Sequence, residues 1–207
     1  MNPTPSKKEK DKKLPPGQFP IKQHLRWGID HPTIPNATVP KINLDTYTLI
    51  VEGEVEKPLK LCWNDIQKLP TIEAISDFHC VEGWSVLNNR WYGIPFKHII
   101  SIAKPKPTAK YVTFKCADGY TTSLSIEELS HDNVLLATKL NGEYLEESMG
   151  FPLRLVVPNK YAYKSAMWIT KIKFTVNKEL GYWEKRGYSD YADVWKNERY
   201  STQKHKP

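Results

Sequence analysis

The residues best suited to chemistry lie around Cys80, where a predicted strand ends in a turn. His79 precedes the cysteine, Glu82 follows it, and Gly83 allows another group to approach the backbone closely. A thiolate presented at the end of a strand can act as a nucleophile or bind a soft metal ion. Free cysteines are more often small buried hydrophobic residues. The sequence around Cys80 therefore leaves a functional thiol and a packing role both open.

A cysteine-dependent hydrolase or transferase is one reading of this thiol. Such an enzyme needs an imidazole base and a group that orients it, but none of the six histidines lies in a local signature for that role. The three cysteines, Cys62, Cys80 and Cys116, form no C-x-x-C pair. That pattern excludes a disulfide framework and a four-thiolate zinc or iron–sulfur site built from this chain alone. A metal-free reaction at Cys80 stays a weak alternative.

Basic residues cluster in a second stretch, which runs from residue 149 to residue 168. Arg154 lies in a predicted strand of apolar residues, and Lys160, Lys164 and Ser165 follow in a tyrosine-rich loop. Together these side chains could hold a phosphate through charge-assisted hydrogen bonds. The arginine could also point to solvent, because alternate residues of a strand face opposite sides.

Strands dominate the elements that must position these groups. Alternating apolar and β-branched residues predict strands, and the helix-like segments are short. We expect strands at residues 46–53, 71–80, 111–115, 121–124, 133–139, 153–157 and 168–176, and helices at 63–69, 96–103 and 126–129. Many strands with few helices and no regular alternation of the two indicate an α+β fold. The aromatic stretch from residue 181 is expected to lie across the surface.

The N-terminal residues differ in composition from the rest of the chain. Residues 7–13 hold five lysines against two acidic residues, part of a net charge of +7 over 207 residues. We expect residues 1–18 to form a disordered basic tail ahead of a single domain at 19–207. The sequence shows no apolar signal region and no run of about 20 apolar residues, which predicts a cytoplasmic protein without a membrane span. It shows no nucleic-acid-binding motif either, so no nucleic-acid partner is expected.

A series of short motifs runs in order along residues 15–200. They are Pro15-Pro-Gly-Gln18, Asp77-Phe-His-Cys-Val-Glu-Gly-Trp-Ser85, Asn89-Arg-Trp91, Asp118-Gly-Tyr-Thr-Thr122, Pro152-Leu-Arg-Leu-Val-Val-Pro158, Lys164-Ser-Ala166 with Trp168, and Gly187-Tyr188 with Ala192-Asp193 and Trp195. Together they resemble the sulfite-oxidase superfamily, and most closely its small single-domain branch of sulfite-oxidase-like molybdopterin-dependent oxidoreductases. This resemblance implies a mostly-β, mixed-sheet, barrel-like molybdopterin-binding fold with short helices.

The resemblance also implies the cofactor Mo-molybdopterin, in which one pyranopterin dithiolene and one protein thiolate bind a single molybdenum. Cys80 occupies the position of that thiolate, and sulfur is a soft donor suited to the metal. Arg26 matches an arginine that faces both cofactor and anionic substrate, and Tyr188 matches a tyrosine that hydrogen-bonds the transferring oxygen. Cys80, Arg26 and Tyr188 are therefore the expected catalytic residues. The expected cofactor-binding residues are Leu25, Arg26, Trp27, Asp118, Met149, Arg154, Lys164, Ser165, Ala166 and Met167.

Three positions depart from the family pattern. Met149 and Met167 replace a histidine and a lysine of many members, and Ser85 replaces an arginine of the true sulfite oxidases. With fewer cations, the negative charge of sulfite would be poorly compensated in a dry pocket. We therefore expect two-electron oxygen-atom transfer on a small S- or N-oxide or another oxyanion. A degenerate pterin-binding module without turnover is the alternative that the two methionines favour.

Electrons must reach or leave such a metal site through another group. This sequence carries no haem, flavin or iron–sulfur motif. A separate electron-transfer protein is therefore expected as a partner, beside the small-molecule oxo donor or acceptor. The positive net charge favours an acidic surface on that partner.

Overall fold

Two mixed β-sheets account for most of the structure. The computed structural model describes residues 13–31 and 38–202 of the chain. The first sheet contains β1 (Phe19–Ile21), β4 (Ile72–His79), β5 (Trp84–Pro95), β8 (Leu135–Leu140), β9 (Glu143–Tyr144) and β10 (Arg154–Val156). The second contains β2 (Thr48–Gly53), β3 (Leu59–Cys62), β6 (Tyr111–Cys116), β7 (Thr121–Ser125) and β11 (Ile169–Thr175), in the order β3-β2-β11-β6-β7. β1 runs parallel to β5 and β2 runs parallel to β11, which makes both sheets mixed.

Short helices connect the strands. They are α1 (Trp63–Gln67), α2 (Phe96–Ala103), α3 (Ile126–Leu129) and 3₁₀ helices at Glu147–Met149, Ala162–Lys164 and Glu184–Arg186. Ser125 begins α3 with a capping box: its hydroxyl accepts from the backbone N–H of Glu128, whose carboxylate accepts from the backbone N–H of Ser125. This local signal explains why so short a helix forms where the sequence predicts it. No helix in the described ranges is long and apolar enough to cross a membrane.

The main core joins both sheets to α2. Its members include Phe114, Ile172 and Phe174 of the second sheet, Ile94 and Leu136 of the first sheet, and Phe96 and Ile99 of α2, all at most 1% exposed. Full burial of each such side chain contributes about 1.5–3 kcal/mol. A second cluster, which includes Phe78, Trp84 and Trp91, packs around Cys80. The mostly-β, mixed-sheet α+β fold with short helices that the sequence predicts is confirmed.

The sequence analysis does not assign the longest strand, β5, nor the short strands β1, β3 and β9. β5 pairs with β1, β4 and β8 and so lies at the centre of the first sheet. Asn88 has a left-handed backbone (φ 55°), and the register with β8 shifts between Tyr92 and Gly93. These irregularities hide the alternation that marks a strand. Gly93 is required there, because a Cβ atom would lie 2.1 Å from the carbonyl oxygen of Leu136.

Residues 13–18, which the sequence analysis assigns to the tail, contact the domain. Residues 1–12, which hold most of the lysine-rich tail, lie outside the described residues. Residues 15–18 form a turn in which the Gln18 N–H donates to the Pro15 carbonyl at 3.2 Å. The side chain of Gln18 also reaches Cys80 and Ser85. These contacts attach part of the predicted tail to the domain.

Candidate functional site

A tight turn between β4 and β5 presents Cys80. The Cys80 N–H donates to the Trp84 carbonyl at 2.9 Å, and the Gly83 N–H donates to the Cys80 carbonyl at 3.0 Å. Gly83 has φ 105°, a left-handed conformation that a side chain would strain. Cys80 is 7% exposed and lines a cleft. The strand-to-turn position that the sequence predicts for this cysteine is therefore the observed one.

Two polar side chains stand beside the thiol. Glu82 Oε2 lies 3.9 Å from Cys80 Sγ, and His31 Nε2 lies 3.2 Å from that same carboxylate oxygen. One potential ligand atom from each of Cys80, Glu82 and His31 lies within 4.8 Å of the other two. Burial, with a smaller contribution from the charge of Glu82, raises the pKa of the Cys80 thiol to about 12. Coordination to a metal ion deprotonates a thiol outright, so this sulfur suits a metal ligand better than a free nucleophile.

Arg154 brings a buried positive charge to the same cleft. The side chain is 2% exposed, and its guanidinium donates to the carbonyls of Met149 (3.0 Å) and Ser165 (3.4 Å). Phe78 and Trp91 lie against the guanidinium, with ring centroids 5.1 and 5.3 Å from Cζ. No carboxylate in the described ranges pairs with Arg154, and its Nε has no hydrogen-bond partner there. A buried, unpaired cation with a donor to spare fits an anionic ligand such as a phosphate.

Most of the predicted site residues meet at this cleft, which holds about 970 Å³ of empty space including its open mouth. Ten of them line it: Leu25, Trp27, Cys80, Asp118, Met149, Arg154, Ser165, Ala166, Met167 and Tyr188. They come from the loop after β1, the Cys80 turn, the β6–β7 turn, the segment around β10 and the stretch after β11 that contains Tyr188. Residues distant in sequence thus form one site.

Arg26 lies outside the cleft, contrary to its predicted position. Its neighbours Leu25 and Trp27 line the cleft, but Arg26 pairs with Asp30 (3.0 Å) and Glu146 (3.6 Å) at a half-exposed position. The hydrogen bond and the charge of Asp30 raise the pKa of Arg26 above its usual value. Because its charge is matched by two carboxylates, the structure gives no support for a role facing the cofactor or an anionic substrate.

Lys164 also lies outside the cleft. Its side chain is fully buried and pairs with Glu184, and its Nζ donates to the carbonyl of Ser123 at 3.1 Å. Burial lowers the pKa of Lys164, and the charge of Glu184 opposes that shift. The predicted phosphate contact from this lysine is not found, because its donors are used inside the protein.

Tyr188 and Asp118 stand on the walls of the cleft. The ring of Tyr188 packs edge-on against Tyr163 and Trp183, with centroids 5.6 and 5.1 Å away. Partial burial raises the pKa of the Tyr188 hydroxyl, which therefore stays protonated at neutral pH. Asp118 Oδ1 accepts from the Tyr120 N–H at 2.9 Å, and burial raises the pKa of this carboxyl.

The sequence analysis misses about half of the cleft lining. The lining residues that it does not assign to the site, although it places Glu82 beside Cys80, are His24, His31, Phe78, Val81, Glu82, Trp84, Tyr120, Ser148, Ala162, Tyr163, Trp168 and Trp183. Several of them are adjacent in sequence to predicted site residues, so the motifs identify the right segments of the chain but not every residue that lines the cleft. His24 is an example: it is buried, its Nε2 lies 2.7 Å from Asn89 Oδ1, and Asn89 Nδ2 in turn donates to the Val86 carbonyl. That arrangement fixes Asn89 Oδ1 as the acceptor and places the imidazole proton on Nε2.

Comparisons with known proteins identify the family to which this chain belongs. A family model described as the oxidoreductase molybdopterin binding domain matches residues 36–183. The chain is 36% identical to the uncharacterized oxidoreductase YuiH of Bacillus subtilis, over 89% of this chain and 93% of that protein. It is also 36% identical to the protein-methionine-sulfoxide reductase catalytic subunit MsrP of Campylobacter jejuni, over 72% of this chain but 56% of the relative.

A solved structure shares the fold. The sulfane dehydrogenase SoxCD from Paracoccus pantotrophus superposes with a TM-score of 0.63 over 68% of this chain and 41% of that chain, at 23% identity. At that identity the likeness is evidence for the fold alone. The arrangement of the two sheets is thus a known fold.

Proposed function

This chain belongs to the oxidoreductase molybdopterin-binding domain family, and we propose that it reduces an uncharged sulfoxide by two-electron oxygen-atom transfer. It is an oxidoreductase of the sulfite-oxidase-like type, as the sequence predicts. The proposed reaction is R₂SO + 2H⁺ + 2e⁻ → R₂S + H₂O. The observation that carries it is that the Cys80 thiol and the unpaired Arg154 guanidinium line one cleft.

The residues of the cleft fit the cofactor Mo-molybdopterin. Cys80 would supply the protein thiolate to molybdenum, and Arg154 would bind the phosphate of the pterin through its unpaired Nε. Ser165 and Ala166, whose loop accepts a hydrogen bond from Arg154, would border that phosphate. When bound, the cofactor supplies the two-electron redox chemistry, and the protein supplies orientation and electrostatics.

The charges around the cleft favour a neutral substrate over sulfite. Glu82 stands beside Cys80, while Arg26 and Lys164 are matched by carboxylates away from the lining. An oxyanion approaching Cys80 would therefore meet a carboxylate, and a charge in a dry site needs partners of opposite sign. A sulfoxide is dipolar but uncharged. Trp27, Met167 and the other apolar lining groups suit its carbon substituents.

Tyr188 is the proposed hydrogen-bond donor to the substrate oxygen. Its hydroxyl stays protonated at neutral pH and its ring lines the cleft. The ring is held by contacts with Tyr163 and Trp183, so the hydroxyl has a defined position. A fixed donor aimed at an oxygen that gains charge during reaction stabilises the transition state.

Electrons are proposed to arrive from a separate protein. One relative is named as a catalytic subunit, which supports the existence of a partner for that protein. The relative's name also supports a sulfoxide substrate. A cytoplasmic location, which the sequence predicts, is also part of this proposal.

A substrate panel on metal-loaded protein tests this proposal. The full chain is produced in a host that makes the molybdenum cofactor, and molybdenum is measured by elemental analysis, with about one atom per chain expected for a mononuclear site. Methyl sulfoxides, N-oxides and sulfite are then compared, with reduced viologen as donor or ferricyanide as acceptor. Sulfoxide reduction should have the highest kcat/KM. Sulfite oxidation as the fastest reaction, or metal-loaded protein that does not cycle with any of them, would contradict it.

The other two functions receive less support. Metal-loaded protein that does not cycle with any compound of the panel would indicate a pterin-binding module without turnover. A metal-free transferase at Cys80 needs a thiolate at neutral pH, yet burial raises the pKa of this thiol to about 12. The buried sulfur instead suits a metal, which supplies the missing positive charge.

A further inference from the structure

A buried ion pair joins two walls of the cleft. Lys164 follows Tyr163, which lines one wall, and Glu184 follows Trp183, which lines another. The Lys164 ammonium contacts the Glu184 carboxylate, with 0% and 1% of the two side chains exposed. Thr122 Oγ1 donates to the same carboxylate oxygen at 2.7 Å.

The remaining partners of Lys164 belong to the same region. Nζ donates to the carbonyl of Ser123 in β7 at 3.1 Å, and Asp190 Oδ1 lies 3.5 Å away. Nζ thus donates to the Glu184 carboxylate and the Ser123 carbonyl, while Asp190 lies within ion-pair distance without a hydrogen bond at Oδ1. Lys164 is not part of the cleft lining, so its charge serves the packing of the C-terminal segment on β7.

The C-terminal segment, defined here as residues 181–190, carries both Trp183 and Tyr188 into the cleft. Its backbone attaches to β7 where the Tyr182 N–H donates to the Thr121 carbonyl at 2.8 Å. Its far end is held by Tyr163, whose hydroxyl donates to the Ser189 carbonyl at 2.6 Å. The ion pair lies between these two attachments, and both of its side chains are buried.

We infer that Lys164 is a positioning residue that acts through Glu184 to hold the C-terminal segment against β7 and so fixes Trp183 and Tyr188 in the cleft. Removing one partner of a buried pair leaves the other charge unpaired in the interior. The cost of leaving the Glu184 charge dry favours local opening of the segment, against the ring contacts that Tyr182 and Tyr188 make with Tyr120 and Tyr163. The expected effect on the KM for a sulfoxide rests on the proposed function, whereas the expected opening of the C-terminal segment does not.

Hydrogen exchange measured by mass spectrometry on the full chain tests the inference. Two variants are compared. Lys164→Met removes the ammonium group, and Glu184→Gln removes the carboxylate charge but keeps an oxygen for Thr122. The matched control is Lys171→Met, which removes a lysine from a part-exposed pair with Glu52 in the second sheet (2.8 Å). Molybdenum content and the KM and kcat for a methyl sulfoxide are measured on the same preparations.

In Lys164→Met, amides of residues 182–190 should exchange at least about tenfold faster, as expected for a local opening that loses a buried pair. Glu184→Gln should shift the same amides in the same direction by less, and Lys171→Met should not shift them. Molybdenum content should stay near that of the unchanged protein, and KM should rise more than kcat falls. If Lys164→Met does not fold, the hydrogen exchange of residues 182–190 in Glu184→Gln tests the inference in its place.

The inference is overturned if exchange at 182–190 is unchanged while molybdenum content falls. That outcome would return Lys164 to the cofactor-binding role that the sequence predicts. Because exchange is read without turnover, this result is independent of whether sulfoxides are the substrate.

Discussion

Gln18 Nε2 donates to the carbonyl oxygen of Cys80 at 3.0 Å, so a residue of the N-terminal segment holds the turn that presents the thiol. Gln18 Oε1 also accepts from Ser85 Oγ at 2.8 Å, and that hydroxyl lies 2.8 Å from His79 Nδ1. The side chain amide therefore bridges both sides of the turn. Ser85, which stands where true sulfite oxidases have an arginine, serves here as part of this network.

Replacing Gln18 should loosen the Cys80 turn. Gln18→Ala leaves the Cys80 carbonyl and the Ser85 hydroxyl without this partner, which should lower the free energy of unfolding by about 1–3 kcal/mol. Urea denaturation followed by tryptophan fluorescence measures the loss. The exposed neighbour Gln23 is the control, since Gln23→Ala should change stability by less than about 0.5 kcal/mol. Equal, small effects of both changes would show that the bridge does not support the turn.

Elements with strong local signals could be predicted from the sequence, and those that depend on distant contacts could not. The bounds of α2 (Phe96–Ala103) and α3 (Ile126–Leu129) agree with the prediction, because periodicity and a capping box act locally. β5 was missed because its conformation is set by three neighbouring strands and includes a left-handed Asn88. β1 has three residues and forms only by pairing with β5.

The same division applies to the site. Cys80 and Arg154 could be identified as candidates from a thiol at a strand end and an arginine in an apolar strand, but the residues alone left a packing or solvent-facing role open, and the resemblance of the motifs decided between them. The ion pairs of Lys164 with Glu184 and of Arg26 with Glu146 could not be predicted, because folding brings these residues together; Asp30, the nearer partner of Arg26, lies only four residues along the chain. Leu25 and Trp27 line the cleft while Arg26 between them does not, so a motif identifies the segment but not which of its side chains points inward.

Cys80 is expected to be the thiol on which metal retention depends. In protein from a cofactor-producing host, Cys80→Ser should reduce molybdenum content to below about a tenth, because an alcohol is a poor substitute for a soft thiolate. The exposed Cys62 provides the control: Cys62→Ser should retain the metal. Elemental analysis after gel filtration makes the comparison. Undiminished molybdenum in Cys80→Ser would refute the assignment of this sulfur as ligand.

Arg154 should matter more for the cofactor than for folding. Arg154→Met removes an unpaired buried charge together with two hydrogen bonds, and these opposed effects should change the unfolding free energy of cofactor-free protein by no more than about 1 kcal/mol. Molybdenum and pterin content should fall at least about tenfold, which corresponds to 1.4 kcal/mol of binding free energy. Arg90→Met, which removes an exposed arginine paired with Glu73 at 3.1 Å, is the control. Wild-type pterin content in Arg154→Met would show that this guanidinium does not bind the phosphate.

His24 should make stability depend on pH between about 4 and 6.5. Burial lowers the pKa of His24 from 6.5 to about 4, so within this window the unfolded chain binds a proton that the folded chain does not. Stability from this group is complete above pH 6.5 and is lost as the pH falls toward 4, a loss of about 3 kcal/mol for such a shift. His24→Gln cannot titrate and should flatten this part of the profile, whereas the exposed His131→Gln should not. Urea unfolding at a series of pH values tests it, and parallel profiles for all three proteins would contradict it.

Gly150 lies against two side chains that line the cleft, Arg154 and Met167. It has φ 101°, and a Cβ atom there would lie 3.0 Å from both Arg154 Cβ and Met167 Cγ. Gly142 has a similar φ of 95° but faces open space, so the two glycines share the backbone strain and differ only in packing. Gly142→Ala should lower the unfolding free energy by about 1 kcal/mol, the ordinary cost of a side chain in this conformation. Gly150→Ala should lower it by about 1–3 kcal/mol more, the usual effect of overpacking, and should raise the KM for a sulfoxide by displacing Met167. Thermal and urea denaturation of the pair isolate the packing contribution, and equal losses for both variants would show that Met167 moves aside freely.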